Sequence, residues 1–321
     1  MIAAAAIAFL LAAAPAGTNG GPPAPPPEAQ PVPPSDAEIV LALGSIENRM
    51  TVPVSIGDST SYPFVIDTGA ERTVISRELA NLLTLPPGPT VRLVSMTGIS
   101  EVASSILPSI MAGSVRRGAI IAPTLKGSNL GAVGMLGIDA LQSKQVAIDF
   151  EHNVMTVRPS ERHGSGVHAE PGDIVVKAVR RLGQLIVTKA YYGSKRIDVI
   201  VDTGSAVTIG NSAFRHLVAN GSHSDRMIQI QSVTGGFLTV DYAIVNRVKI
   251  GGVHLNRLPV AFADAPPFAH FGLSDSPALL LGMDAMRAFR GVTIDFANRQ
   301  VLFSMPDSSA PAVGQWSVIR G

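Results

Sequence analysis

The tripeptide Asp-Thr-Gly occurs twice in this chain, at Asp67-Thr68-Gly69 and at Asp202-Thr203-Gly204, with the two aspartates 135 positions apart. Each copy is delivered by an apolar run, Phe64-Val65-Ile66 in the first and Val199-Ile200-Val201 in the second. A second apolar run follows each motif, Thr73-Val74-Ile75 and Val207-Thr208-Ile209. An aspartate at the end of a buried strand is costly unless its charge is hydrogen-bonded or shared. The glycine permits a sharp turn and brings its own N–H near the carboxylate. Two such loops facing each other would set two carboxyls side by side, where both cannot ionise and one proton is shared. Such a pair titrates as a unit. It can also activate a water: the carboxylate removes a proton while the carboxylic acid hydrogen-bonds the carbonyl under attack. Neither a metal nor a covalent intermediate is required.

A single copy would also suit a solvent-facing turn, since Asp and Gly are favoured there. The surrounding sequence argues against that reading. Residues 63–76 align with 197–210, residues 91–100 with 228–237, and residues 133–157 with 278–303, three blocks in the same order. The chain is therefore a duplicated unit of about 120–130 residues, a normal size for one domain. Short runs rich in Val, Ile and Thr, broken by Gly, Pro, Asn and Asp, predict mostly β structure. Short helices are expected over residues 77–83 and 211–218 and after each Leu-Gly-x-Asp segment. The expected divisions are 36–158 for the first lobe, 159–173 for a polar linker, 174–305 for the second lobe and 306–321 for a tail. Within the tail, residues 315–319 suggest an edge or interlobe strand.

Residues 1–17 open with fourteen apolar residues and carry Ala12-Ala13-Ala14 as an A-x-A site, the pattern of an export signal that would direct the protein to the periplasm or outside the cell. The run is too short to span a bilayer by the usual count of about 20 residues, and no Lys or Arg precedes it. The alternatives are an uncleaved N-terminal anchor tethering the protein to a membrane, or a start codon assigned too late. Residues 18–35 are a proline-rich tether without core-forming side chains.

Composition removes several function classes. A net charge of +1 gives no reason to expect a nucleic-acid partner. With no cysteine there is no thiolate nucleophile or sulfur-ligated zinc. No HExxH, GxSxG or P-loop pattern is present, and no cofactor or metal is expected.

The repeated motifs resemble those of the retropepsin-like and pepsin-like aspartic proteases, most closely two-lobed bacterial members with a retropepsin-like unit in each lobe. The resemblance covers residues 38–305. It implies an all-β fold of two β-barrel lobes related by a pseudo-two-fold axis, with the active site between them. Asp67 and Asp202 map to the catalytic aspartates. Thr68 and Thr203 map to the threonines that interlock the lobes, with Gly69, Gly204 and Ser205 completing the loops. Met135-Leu136-Gly137 and Leu280-Leu281-Gly282 map to the segments that support those loops. The Thr97-Gly98 and Thr234-Gly235 turns fall where the family carries substrate-binding flaps; otherwise they are ordinary hairpin turns. Their presence in both repeats favours the retroviral type over pepsins, which have one flap, and the first carries no tyrosine, another departure from pepsins. A flap binds an extended peptide by β-augmentation.

These features lead to an expected monomeric endopeptidase that takes extended peptide or unfolded protein as its substrate. The alternatives are a catalytically silent or partner-dependent peptide-binding module, and a domain-exchanged dimer. The loops differ at Ala70 and Ser205; a Ser205 hydroxyl donated to Asp202 would make Asp202 the more readily ionised partner and leave the shared proton on Asp67. Asp139 and Asp284, two residues beyond the supporting glycines, are either helix caps or a second carboxylate pair. Asp149 and Asp295 read as strand-end or turn residues.

Overall fold

The computed structural model describes residues 2–4, 8–11, 39–42, 44–46, 49–113, 115–141, 144–160, 167–181, 184–219, 226–306 and 317–320. The proline-rich tether lies outside the described residues, as do residues 161–166 of the linker. The protein is mostly β, with two curled half-barrel sheets matching two retropepsin-like lobes.

Each lobe is built on the same strand arrangement. In the first, Tyr62–Ile66 pairs in parallel with Gly134–Leu136, which pairs antiparallel with Val74–Ser76, which pairs in parallel with Ile120–Leu125. In the second, Lys195–Val201 pairs in parallel with Ala278–Leu281, which pairs antiparallel with Ile209–Gly210, which pairs in parallel with Leu258–Phe262. These strands are enclosed on both faces, which explains why they read as continuous apolar runs rather than alternating ones. Phe64, Val65 and Ile66 are buried, as are Val199, Ile200 and Val201.

A third sheet joins the lobes. Its order is Ile39–Ala42, Val154–Pro159, Lys144–Asp149, Gly291–Asp295, Gln300–Ser304 and Ile174–Arg181. The two central strands are the Ile-Asp-Phe repeats. Val146 faces Ile294 and Ile148 faces Val292, each a position of one repeat against its non-equivalent neighbour in the other. That register centres the pseudo-two-fold axis on the Ala147–Thr293 pair. All four apolar side chains are buried.

The expected helices are present at Arg77–Leu82, Ser212–Val218, Ile138–Leu141 and Met283–Met286. The first two start at side-chain caps: Leu79 N–H donates to Ser76 Oγ at 3.1 Å, and Phe214 N–H to Asn211 Oδ1 at 2.9 Å. The tail strand Ser317–Arg320 pairs antiparallel with Val253–Asn256 and so lies on the second lobe, outside the interlobe sheet. Asp149 and Asp295 end their strands and accept turn N–H groups, His152 N–H and Asn298 N–H, each at 2.9 Å.

Candidate active site

The two Asp-Thr-Gly loops meet at the lobe boundary. Asp67 N–H donates to Leu136 O and Asp202 N–H to Leu281 O, both at 3.0 Å, so each loop hangs from its supporting strand. Gly137 and Gly282 sit where an added Cβ would run into the backbone that closes each loop, at Arg72 and at Val207 respectively. No side chain fits there.

The threonines lock the loops together. Thr68 N–H donates to Thr203 Oγ1 at 3.0 Å, and Thr203 N–H donates to Thr68 Oγ1 at 3.1 Å. Each hydroxyl then donates across the boundary, Thr68 to Val201 O at 3.0 Å and Thr203 to Ile66 O at 2.8 Å.

Asp67 and Asp202 are both fully buried. Gly69 N–H donates to Asp67 Oδ1 at 2.8 Å, and Gly204 N–H to Asp202 Oδ1 at 3.0 Å. A Cβ on Gly69 would lie 2.5 Å from Asp202 Oδ1, and one on Gly204 would overlap the Asp67 carboxyl. Each carboxyl therefore rests on the glycine of the opposite loop. Both Oδ2 atoms are buried without a hydrogen bond from any N–H or hydroxyl of the described residues. A bond between the two carboxyls requires a proton on one of them.

Burial and then the Asp202 charge hold the Asp67 carboxyl well above the ordinary range, against the pull of the Gly69 and Ala70 N–H groups and Arg49. Burial raises Asp202 to about 7, opposed by the Gly204 and Ser205 N–H groups, the Asp67 carboxyl and Arg49. This pattern is that of a pair retaining one proton near neutrality.

The expected role of the Ser205 hydroxyl is corrected by the geometry. Its Oγ donates to Val207 O at 2.7 Å and accepts Val207 N–H at 3.3 Å, so it is turned away from Asp202. Ser205 reaches Asp202 Oδ1 through its main-chain N–H, at 3.2 Å. The corresponding Ala70 N–H donates to the main-chain oxygen of Asp67 at 3.3 Å. The Ala70 N–H still pulls on the Asp67 carboxyl, so the loops differ in its nearest acceptor rather than in whether it reaches the carboxyl.

Asp139 and Asp284 are struts, neither helix N-caps nor a second pair. Asp139 Oδ1 accepts both Thr73 N–H and Thr73 Oγ1–H at 2.9 Å, and Asp284 accepts Thr208 N–H at 3.0 Å and Thr208 Oγ1–H at 2.6 Å. Thr73 and Thr208 in turn accept the N–H groups of Gly137 and Gly282, at 3.2 and 3.1 Å. Each strut pins the end of a catalytic loop to its supporting strand. Burial raises the Asp284 carboxyl to about 6 and lifts Asp139 in the same direction.

The Thr97-Gly98 and Thr234-Gly235 turns are tips of long hairpins, Pro87–Ser95 with Gly98–Leu107 and Arg226–Gln231 with Phe237–Val245. The tips touch across the pseudo-axis: Thr234 Oγ1 lies 3.0 Å from Ser95 Oγ and 3.3 Å from Thr97 Oγ1. Their apolar residues exchange lobes. Met96 of the first tip is buried in the cluster of Ile200, Val207 and Ile209, and Val233 of the second in the cluster of Val65, Ala70 and Val74. These clusters flank the Asp202 and Asp67 loops.

Two further residues beside the loops were not singled out in the sequence. Arg49 is fully buried, donates from Nη2 to Leu130 O at 2.9 Å, and its charge acts on both aspartates. Glu71, immediately after the first loop, lies 3.0 Å from His270 of the second lobe. An arginine opening an apolar strand was the one available signal for Arg49; nothing in sequence pairs residues 71 and 270. Among the described residues there is no cluster of His, Asp and Glu suited to a metal ion.

Two half-barrels that each supply one Asp-Thr-Gly loop to a shared carboxyl pair define a two-lobed, retropepsin-like architecture. The family model for aspartyl protease matches residues 52–140 and again residues 188–285, more than half of the chain, and the chain belongs to that family. No curated protein matches the chain.

Proposed function

We propose that this protein is an aspartic endopeptidase that hydrolyses extended peptide segments, with Asp67 and Asp202 as its catalytic pair. The observation that carries the reading is the pair itself: two buried carboxyls, each resting on the other loop's glycine, with both Oδ2 atoms left without a donor. In the working state Asp202 is the carboxylate and Asp67 the acid. Asp202 takes a proton from the attacking water while Asp67 hydrogen-bonds and then protonates the carbonyl oxygen. The C–O bond forms and gives a tetrahedral diol. Collapse returns a hydroxyl proton to Asp67, Asp202 passes its proton to the leaving nitrogen, and the C–N bond breaks. No group is left on the protein.

The hairpins tipped by Thr97-Gly98 and Thr234-Gly235 serve as flaps that hold the peptide by main-chain pairing. Because one chain supplies both loops, the working unit is a monomer with lobes at 36–158 and 174–305. We further propose an exported protein, periplasmic or secreted or held at a membrane by its N-terminus. Among the described residues no helix is long and apolar enough to cross a membrane.

A peptide-library digest across pH, with and without a statine-type transition-state inhibitor, tests the reading. Internal cleavage abolished by the inhibitor is expected. Binding of peptides without cleavage at any pH would replace the enzyme with a silent binding module.

A further inference from the structure

The duplication extends beyond the catalytic blocks to a short hairpin in each lobe. Ile110–Ala112 pairs antiparallel with Val115–Arg117, and Val248–Ile250 pairs antiparallel with Val253–Asn256. The registers coincide: Ile110 opposite Arg117 and Ala112 opposite Val115 match Val248 opposite Leu255 and Ile250 opposite Val253. Each hairpin turns at a left-handed glycine, Gly113 at φ 60° and Gly251 at φ 59°. Each also hangs on the strand that pairs with its lobe's catalytic-loop strand, Ile110 opposite Ile56 and Val248 opposite Tyr192.

The two hairpins differ at the outer edge. In the second lobe the tail strand Ser317–Arg320 fills it, with Arg320 opposite Val253, Ile319 opposite His254 and Val318 opposite Leu255. In the first lobe, among the described residues, Val115–Arg117 pairs with no strand beyond Ile110–Ala112 and ends its sheet. Arg116, Arg117, Gly118 and Ala119 are exposed, whereas Leu255, the equivalent of Arg117, is fully buried. An open edge offers main-chain N–H and C=O groups to any strand that can extend along it, and the filled edge of the second lobe shows that this hairpin accommodates one.

The residues of the open edge select which strand that is. Successive side chains of a strand face opposite sides. Burial raises the Asp139 carboxyl and the Arg117 charge opposes that rise, so Arg117 lies on the side of Asp139. Arg116 lies on the other side with its cross-strand neighbour Met111, which is also exposed. An added strand therefore meets an arginine on each face. Opposite charges across neighbouring strands stabilise the pairing and like charges oppose it. In the register used on the second lobe, the chain's own tail would set Ile319 and Val318 against the two arginines and bring a further cation, Arg320, beside them. The pair thus guards the edge against apolar and basic strands and favours one that carries carboxylates.

We propose that the outer edge of Val115–Arg117 is a docking site for an extended acidic segment of a partner protein, which adds as a further strand of the first lobe with its carboxylates on Arg116 and Arg117. The site shares no residue with the candidate active site and stands whether or not the cleft hydrolyses peptides.

The test titrates the full chain with a short labelled peptide of alternating valine and glutamate, with a valine–lysine peptide as control. A statine-type inhibitor is present throughout to keep the probe out of the cleft. The acidic peptide is expected to bind the parent, less tightly as salt rises. It is expected to bind the Arg116→Glu/Arg117→Glu variant more weakly by on the order of tenfold, while the lysine peptide gains on that variant. The milder Arg116→Gln/Arg117→Gln variant is expected to fall between the two. Amides of residues 115–118 are expected to exchange more slowly when the acidic peptide is bound. No binding to the parent, equal binding to the parent and both variants, or unchanged exchange in residues 115–118 overturns the proposal. Binding of a peptide of residues 314–321 as tightly as the acidic one would make the tail of a second copy the occupant and overturn the acidic partner.

Discussion

Thr68 and Thr203 hold each other by a closed ring of four hydrogen bonds, with each N–H on the other's hydroxyl and each hydroxyl on the opposite lobe's main chain. This ring sets the spacing of Asp67 and Asp202, the residues immediately before the threonines. Thr203→Val keeps the shape and removes the hydroxyl. It leaves the Thr68 N–H and the Ile66 carbonyl buried without partners, a cost of roughly 2–4 kcal/mol in unfolding free energy. The urea midpoint checks it. Thr203→Ser, which keeps the oxygen, is expected to recover most of the loss.

Gly204→Ala places a methyl group on the Asp67 carboxyl, and Gly69→Ala places one 2.5 Å from Asp202 Oδ1. Either variant is expected to lose cleavage while retaining the far-ultraviolet circular dichroism of the parent. Activity within a few-fold of the parent would show that the carboxyls are not in contact with these loops.

Asp202 is raised by burial to about 7, so between the ordinary carboxyl range and that value the unfolded chain ionises the group and the folded chain resists. Its contribution to stability is therefore complete at low pH and lost as pH rises through the window from about 4 to about 7. Asp202→Asn removes the titration. The variant is expected to gain on the order of 2–4 kcal/mol relative to the parent at pH 8, with the difference closing towards pH 4. Thermal melts at the two pH values measure it.

Ser205→Ala is expected to leave the acidic limb of the pH–rate profile in place, because the N–H that reaches Asp202 Oδ1 belongs to the main chain. The loss falls instead on stability, about 1 kcal/mol for the hydroxyl's bond to Val207 O. A shift of the acidic limb by a unit or more would restore a direct role for the hydroxyl.

The catalytic loops were legible in sequence because duplication gives each motif an independent witness: the same apolar run, the same glycine and the same downstream block. The short helices were legible from residues 77–83 and 211–218, and the caps that start them, Ser76 and Asn211, are local. What escaped depends on tertiary placement. Nothing in sequence directs Met96 and Val233 into opposite lobes, since any apolar tip residue satisfies the same pattern. The Ser205 hydroxyl could turn to Asp202 or to Val207, and the turn geometry chose Val207. Asp139 and Asp284 had the right type for caps, but their partners, Thr73 and Thr208, each stand just before a strand more than sixty residues away. The apolar N-terminal run was read through its length and composition, which suit export; the pairing of Ile2–Ala4 with Arg226–Gln231 and of Ala8–Leu11 with Pro87–Ser95 exists only in three dimensions.

The central claim is that Asp67 and Asp202 work as one proton-sharing pair. The direct measurement is cleavage of an unfolded protein by the full chain and by its Asp67→Asn and Asp202→Asn variants. Both single substitutions are expected to reduce cleavage by about 100-fold or more while the protein stays folded. Retained cleavage in either one would contradict the pair.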